Sequence, residues 1–326
     1  MNEIEVELLN EQASALMKRG IALLEEPRRE AAIDALHCFD EALALRRQMP
    51  PGQSPFQDYL LAACLLNRAD ALVRFNDAGP LAAALASYDE GIDVLRALPM
   101  AEDSRYPRWL AMACHNRGLA LQIRGLEGDR ASAAEAFAEA IAVLEQEHSA
   151  AIADRDYLLA VVWLNFANLH SIDTAPGALV EAREAAARSL VHVRDRELDD
   201  LPAAMVGLQA RHVLCRLCAQ GLSQAEDEAG MPDDVHEATD AVDDGLALVR
   251  SWEGRGVEAF RGVAFELFRF GARVYARYQP QFLDEFIAEN MDPARSSPGY
   301  VGDPDLRLAA HEAQQLIRGA DERPRV

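Results

Sequence analysis

Three asparagines stand at one fixed interval: Asn67, Asn116 and Asn165 lie 49 residues apart, within the stretches LLNRADAL (65–72), CHNRGLAL (114–121) and WLNFANLH (163–170). A carboxamide offers donors and an acceptor, so a row of them can pair with the backbone of an extended peptide without reading its side chains. The same side chains can instead bond a neighbouring helix or loop, and the sequence leaves both roles open. Asp70, Arg74, Gln122 and Asn168 fall near the asparagines at helical spacing and would make such a surface polar and of mixed charge. His115, beside Asn116, would contact a ligand or report pH near 6–7 if it lined that surface, and would be a structural hydrogen-bonding group otherwise.

Other reactive groupings are weaker. His212, Cys215 and Cys218 are spaced by three on one predicted helix. A tetrahedral zinc site needs a fourth ligand and usually a turn between the cysteines, so core packing is the expected role, with no metal and no cofactor. Asp233-Asp234 and Asp243-Asp244 are adjacent in sequence; on a helix they point about 100° apart and do not form an acid/base pair. There is no G-x-x-x-x-G-K-[ST], H-E-x-x-H or G-x-S-x-G, and the glycines of EGRGVEAFRG (253–262) lack the strand-turn-helix setting of a phosphate loop. The expectation is a protein that is not an enzyme.

The elements that carry these residues follow the same period. DYLLA at 58–62 returns at 156–160, with PRWLA at 107–111 between them. CFDEALAL (38–45), SYDEGIDV (87–94), AFAEAIAV (136–143) and AAARSLVH (185–192) align without a gap. Each unit reads as two helices: Leu61, Leu65, Ala69, Leu72 and Val73 recur at helical spacing, and so do Leu81, Leu85, Tyr88, Ile92 and Leu95. Pro80 is placed where a helix can begin, Pro50 and Pro99 close second helices, and EGD (127–129) and APG (175–177) separate helices in later units. No apolar/polar alternation is long enough for a strand. An all-α chain is predicted.

These residues resemble the tetratricopeptide repeat. Its first-helix pattern, asparagine followed two residues later by a small residue, is met by Asn67 with Ala69, Asn116 with Gly118 and Asn165 with Ala167. Its second-helix pattern, an aromatic, then a small residue and an aliphatic, is met by Phe39-Ala42-Leu43, Tyr88-Gly91-Ile92 and Phe137-Ala140-Ile141. The resemblance implies a right-handed α-solenoid of antiparallel helix pairs, five to six repeats with a C-terminal helical cap, whose first helices line a concave groove. Asn67, Asn116 and Asn165 would project into it. Departures are a 49-residue unit where the family's is about 34, Lys18 in place of the first asparagine, Ala186 and Ser189 in place of the aromatic and small pair, and Arg19, Arg68 and Arg117 where leucine is usual. That arginine column is either solvated and ion-paired or a binding feature.

The array is expected over 1–252, in units of about 9–50, 58–99, 107–148, 156–196 and 200–252, with capping helices and a polar tail over 253–326. The last unit includes an acidic inserted loop, GLSQAEDEAGMPDD (221–234). Residues 256–290 hold eight of the chain's 11 Phe and 7 Tyr and read as the cap or as a homodimer surface. A Pro/Gly/Ser-rich connection (290–305) and a short helix (306–318) follow.

Charge narrows the partner. The 326 residues carry a formal charge of -22, from 54 acids against 32 bases of which only Lys18 is lysine. Such a balance disfavours nucleic acid and favours a basic partner. The acidic start MNEIEVELLNEQ has no signal-peptide features, and no stretch approaches the ~18 consecutive apolar residues of a membrane span, so a cytoplasmic location is expected. Five cysteines at uneven spacing predict reduced thiols. The function expected is a protein- or peptide-binding adaptor using its groove. The alternatives are a homodimeric structural protein and a small-ligand sensor or enzyme centred on His115.

Overall fold

The computed structural model describes residues 3–49, 52, 54–172, 177–224, 233–291 and 304–321. Among these residues there are no strands. The helices are α1 (Glu3–Leu24), α2 (Arg29–Arg46), α3 (Pro55–Val73), α4 (Ala78–Arg96), α5 (Arg105–Arg124), α6 (Asp129–Glu145), α7 (Arg155–His170), α8 (Ala178–Val193), α9 (Leu201–Gln224), α10 (Asp233–Glu253), α11 (Arg261–Tyr278), α12 (Leu283–Asn290) and α13 (Pro304–Asp321), with 3-10 turns at Glu147–Ala151 and Pro280–Phe282. The chain forms two compact units, Met1–Leu158 and Leu159–Val326, and the division falls inside α7.

Local chemistry sets the helix ends. Ser54 caps α3: its hydroxyl accepts from the Gln57 amide at 3.1 Å, and Pro55 occupies the first helical position, where its missing amide hydrogen costs nothing. Gly125 ends α5 in the left-handed conformation, φ 63°, and its amide returns to the Leu121 carbonyl. The start predicted at Pro80 lies two residues late, since α4 begins at Ala78 and places Pro80 in its first turn. Nothing in residues 3–8 breaks a helix, so α1 runs six residues ahead of the expected start at residue 9. The loop expected over 221–234 is shorter, because α9 extends to Gln224 and α10 begins at Asp233; residues 225–232 lie outside the described residues, as do 173–176, 292–303 and 322–326.

In the first unit, α1 packs on α2, α3 on α4 and α5 on α6, and α2–α3 and α4–α5 contacts join the pairs. The small residues of the 49-residue pattern act at these contacts. A Cβ on Gly20 would stand 2.5 Å from Phe39 Cε1, and one on Gly118 would stand 2.5 Å from Phe137 Cε1. Glycine at these places admits a fully buried ring against the backbone of the partner helix. Charge repeats with the same period. Arg68 Nε bonds Asp40 at 2.6 Å and Arg117 Nε bonds Asp89 at 2.6 Å, while Arg47 pairs with Glu90 at 2.7 Å and Arg96 with Glu139 at 2.8 Å. Arg68 and Arg117 of the arginine column are therefore ion-paired.

In the second unit, α8, α9 and α10 pack in succession, and α11 contacts α9, α10, α12 and α13. The aromatic segment 256–290 is two helices joined by a 3-10 turn. Phe260, Phe268, Tyr275 and Phe286 are buried inside this unit, with Phe268 stacked on Phe286 at 5.4 Å, while Phe282 is exposed. Glu197 and Arg211, both almost fully buried, form a two-pronged pair at 2.5 and 3.0 Å, and Trp252 Nε1 donates to the Glu197 carbonyl at 2.8 Å. Gly207 leaves room for that carboxylate, since a Cβ there would overlap Glu197 Oε1.

Candidate functional site

A cleft of about 920 Å³ in the first unit lies between α1 and α3. Glu7, Asn10, Glu11, Ser14 and Lys18 line it from α1, which puts them on one face because 7, 11, 14 and 18 follow helical spacing. Ser54, Phe56, Gln57 and Leu60 line it from the start of α3. Both are first helices of their pairs, but none of the residues that the sequence reading assigned to a groove lines this cleft.

Its polar wall is held from behind. Arg46 of α2 is 4% exposed and donates to Asn10 Oδ1 and, at 3.1 Å, to Ser14 Oγ. Burial pulls that guanidinium below its ordinary pKa. Phe56 is 45% exposed, and the Arg105 guanidinium lies 5.2 Å from its ring and 5.5 Å from that of Tyr59. Tyr59 in turn meets Trp109 edge-on at 5.9 Å, so the α3 wall rests on an aromatic cluster supplied by α5. Gln57 Oε1 is buried with no hydrogen-bond partner, an acceptor whose desolvation an incoming donor would offset. Glu7 and Glu11 are exposed carboxylates, and the lining as a whole is richer in acceptors than in cations.

A second polar grouping joins α3, α4 and α5. The Tyr88 hydroxyl donates to Asp70 Oδ1, and Asn116 Nδ2 donates to the same oxygen at 3.1 Å. Asn116 Oδ1 lies 3.2 Å from His115 Nδ1, and the imidazole packs 5.7 Å from the Phe137 ring. Burial raises the Asp70 carboxyl above its usual range, and the bonds from Tyr88 and Asn116 oppose that shift. It also lowers His115 to about 4, so the imidazole is neutral over the physiological range and does not titrate near 6–7. Tyr88 is raised by burial and by the adjacent carboxylate. Three of the sequence-selected residues, Asp70, His115 and Asn116, thus meet in one interior network.

Arg74 acts on Asp70 through its charge, and the other selected residues lie outside the network. Asn67 donates back to the Ala63 carbonyl of its own helix at 2.8 Å, and in the second unit Asn165 does the same to Val161 at 3.0 Å. Asn168 Oδ1 accepts from Arg216 at 3.3 Å. Gln122 is exposed near the end of α5, and Arg74 caps the far end of α3. The asparagine column therefore has two kinds of environment: Asn67 and Asn165 bond their own backbone, while Asn116 bridges to a neighbouring helix. Cys215 and Cys218 are buried and His212 is half-buried; among the described residues no group of three or more His, Cys, Asp or Glu is arranged to hold a metal ion. All five cysteines are free thiols, and burial raises Cys64 to about 11 and Cys114 to about 12, far from reactive thiolates.

Sequence reasoning missed Glu7, Glu11, Ser14, Phe56 and Gln57, because α1 carries no asparagine at the repeated place and Lys18 reads there only as a departure. It also treated Tyr88 as a packing ring. The signal was present: Phe39 and Phe137 hold the same place in their units, and a tyrosine substituted into a buried phenylalanine site needs a partner for its hydroxyl.

Fold and site together define an all-helical, repeat-like chain with adjacent helix-pair packing. Compared with protein-family models, curated proteins and solved structures, it matches none. No helix among the described residues is long and apolar enough to cross a membrane.

Proposed function

We propose that this chain is a tetratricopeptide-like scaffold, a right-handed solenoid, that binds a short, arginine-rich extended segment of another protein in the cleft between α1 and α3. The observation that carries the reading is the cleft itself: about 920 Å³, walled by Glu7 and Glu11, with the buried, unpaired Gln57 Oε1 and the half-exposed Phe56 ring. Carboxylates and an amide oxygen accept from guanidinium or backbone N–H, and an aromatic face receives a cation. The charge of -22 draws such a partner in and makes its association salt-dependent.

Lys18 supplies the test. It is the chain's sole lysine and lines the cleft, so an amine-reactive reagent reports on occupancy. A lysine-free, arginine-rich decapeptide should protect Lys18 from acetylation, read by mass spectrometry of the Lys18-containing fragment. It should bind Glu7→Gln/Glu11→Gln at least tenfold more weakly by fluorescence anisotropy, and its glutamate-substituted analogue should not bind. Unchanged acetylation of Lys18 at saturating peptide, or unchanged affinity of the double variant, would remove the cleft from the account.

A further inference from the structure

We infer a second binding site in the first unit, for a small phosphate monoester, at the end of the hairpins remote from the cleft. A cavity of about 440 Å³ is lined by Pro27, Arg28, Arg29, Ala32, Arg74 and Phe75. Three guanidiniums and no carboxylate line it, in a chain whose acids outnumber its bases by 54 to 32. The Arg29 guanidinium sits 5.8 Å from the Phe75 ring, which restricts its motion and leaves its donor edge available. Arg74 stands at the C-cap of α3, so the chain brings it to Arg28 and Arg29 only by closing the α1–α2 and α3–α4 hairpins side by side. Planar guanidinium forks match tetrahedral oxyanions, and a half-buried phenyl ring offers an apolar floor for the group esterified to the phosphate.

Neighbouring acids bear on the site without lining it: Glu30 and Asp34 act on Arg28, and Asp70 on Arg74, through charge alone, and two more form pairs. Glu26 pairs with Arg28, and Asp77 lies 3.6 Å from Arg29. Both pairs are largely exposed, with side-chain accessibilities of 45% or more, so a dianion exchanges for them at small cost. The 49-residue register adds an independent argument. Forward by one period, the places of Arg28, Arg29, Arg74 and Phe75 are taken by Asp77, Ala78, Ile123 and Arg124. The second pair of helices therefore packs without this basic grouping, and packing does not account for its presence in the first.

Phe56 and Arg74 are separated by 18 positions on α3, roughly 27 Å at about 1.5 Å per residue, so the two sites can be tested apart. The experiment is a titration of the full chain with phenyl phosphate and with inorganic phosphate at fixed ionic strength, followed by ³¹P NMR. Saturable binding is expected, tighter for phenyl phosphate than for inorganic phosphate. Arg74→Gln and Arg28→Gln/Arg29→Gln should each weaken it at least tenfold with unchanged far-UV circular dichroism, and Glu7→Gln/Glu11→Gln should leave it within twofold. Absence of saturable binding to the parent, or equal affinity in Arg74→Gln, would overturn the site.

Discussion

Replacing Gly118 by alanine should destabilise the first unit although alanine is the better helix former. The added Cβ would stand 2.5 Å from Phe137 Cε1, 2.8 Å from Cδ1 and 2.9 Å from Cζ, against the 3.4 Å at which ordinary contact begins. Three atoms of one rigid ring are met together, and Phe137 is 0% exposed, so the ring has no free space to move into. Overpacking of this kind costs about 1–3 kcal/mol, and the gain in helix propensity returns at most about 1 kcal/mol. With the full propensity gain subtracted, the net loss should be up to about 2 kcal/mol. Gly79 is the control: it lies in α4 with nothing within 4 Å of a built Cβ, so Gly79→Ala should be neutral or mildly stabilising. The assay is urea denaturation followed by circular dichroism, with the midpoints of parent, both alanine variants, Phe137→Leu and Gly118→Ala/Phe137→Leu compared. Truncating the ring relieves the overlap, so the penalty of Gly118→Ala should shrink in the Phe137→Leu background. If Gly118→Ala matches or exceeds the parent in stability, the ring does not depend on a bare backbone and the packing argument is wrong.

The other predictions concern buried charge. Arg211→Met leaves the Glu197 carboxylate buried and unpaired, and should lower stability by about 3–5 kcal/mol; Glu197→Gln/Arg211→Met should recover part of that loss in the same urea assay. His115 sets an acid limit. Its folded pKa is about 4 against an unfolded value near 6.5, so below about 6.5 the unfolded chain takes up a proton that the folded chain refuses. Stability should fall as pH drops from about 6.5 to about 4, by up to about 3 kcal/mol from this group. Asp70 acts with the opposite sign, because its raised pKa makes the folded state bind its proton first and gain stability as pH falls. Comparing parent with His115→Gln across pH 4–7 isolates the histidine, and parallel stability curves would contradict the assignment.

The helical class was legible because both signals for it are local and redundant. The apolar spacing of Leu61, Leu65, Ala69 and Leu72 returns one period on as Leu110, Cys114, Gly118 and Leu121, and Pro and Gly stand between the segments. One close contact was legible in part: Gly118 and Phe137 showed in the sequence as a small residue and a ring at fixed register, whereas Gly20 opposite Phe39 was not singled out. Helix ends were less so, since Ala78 rather than Pro80 begins α4, and the start of α1 has no breaker to mark it. The cleft was least legible. Its lining from α1 consists of Glu7, Asn10, Glu11 and Ser14, residue types that any solvated helix face displays, and only the approach of α3 distinguishes them. The asparagine column has no single environment, because an identical residue at identical spacing does not fix its partner. Asn67 finds a backbone carbonyl one turn earlier, while Asn116 finds Asp70, a residue that the neighbouring units replace by Ile21 and Leu119.

That contrast separates what the repeat needs from what this chain has added to it. Features that return with the period have a sufficient cause in packing: Gly20 against Phe39 returns two periods on as Gly118 against Phe137, and Arg68–Asp40 with Arg47–Glu90 returns one period on as Arg117–Asp89 with Arg96–Glu139. A pair of helices that closes without a given side chain shows that closure does not require it. Lys18 in the asparagine place, the Tyr88–Asp70–Asn116 network and the cluster of Arg28, Arg29, Arg74 and Phe75 each occur once. For the network the single occurrence has an internal consequence, since it ties α3, α4 and α5 at one register through directional bonds that a phenylalanine cannot make. Lys18 and the arginine cluster are exposed and make no comparable tie, and they line the two sites proposed above.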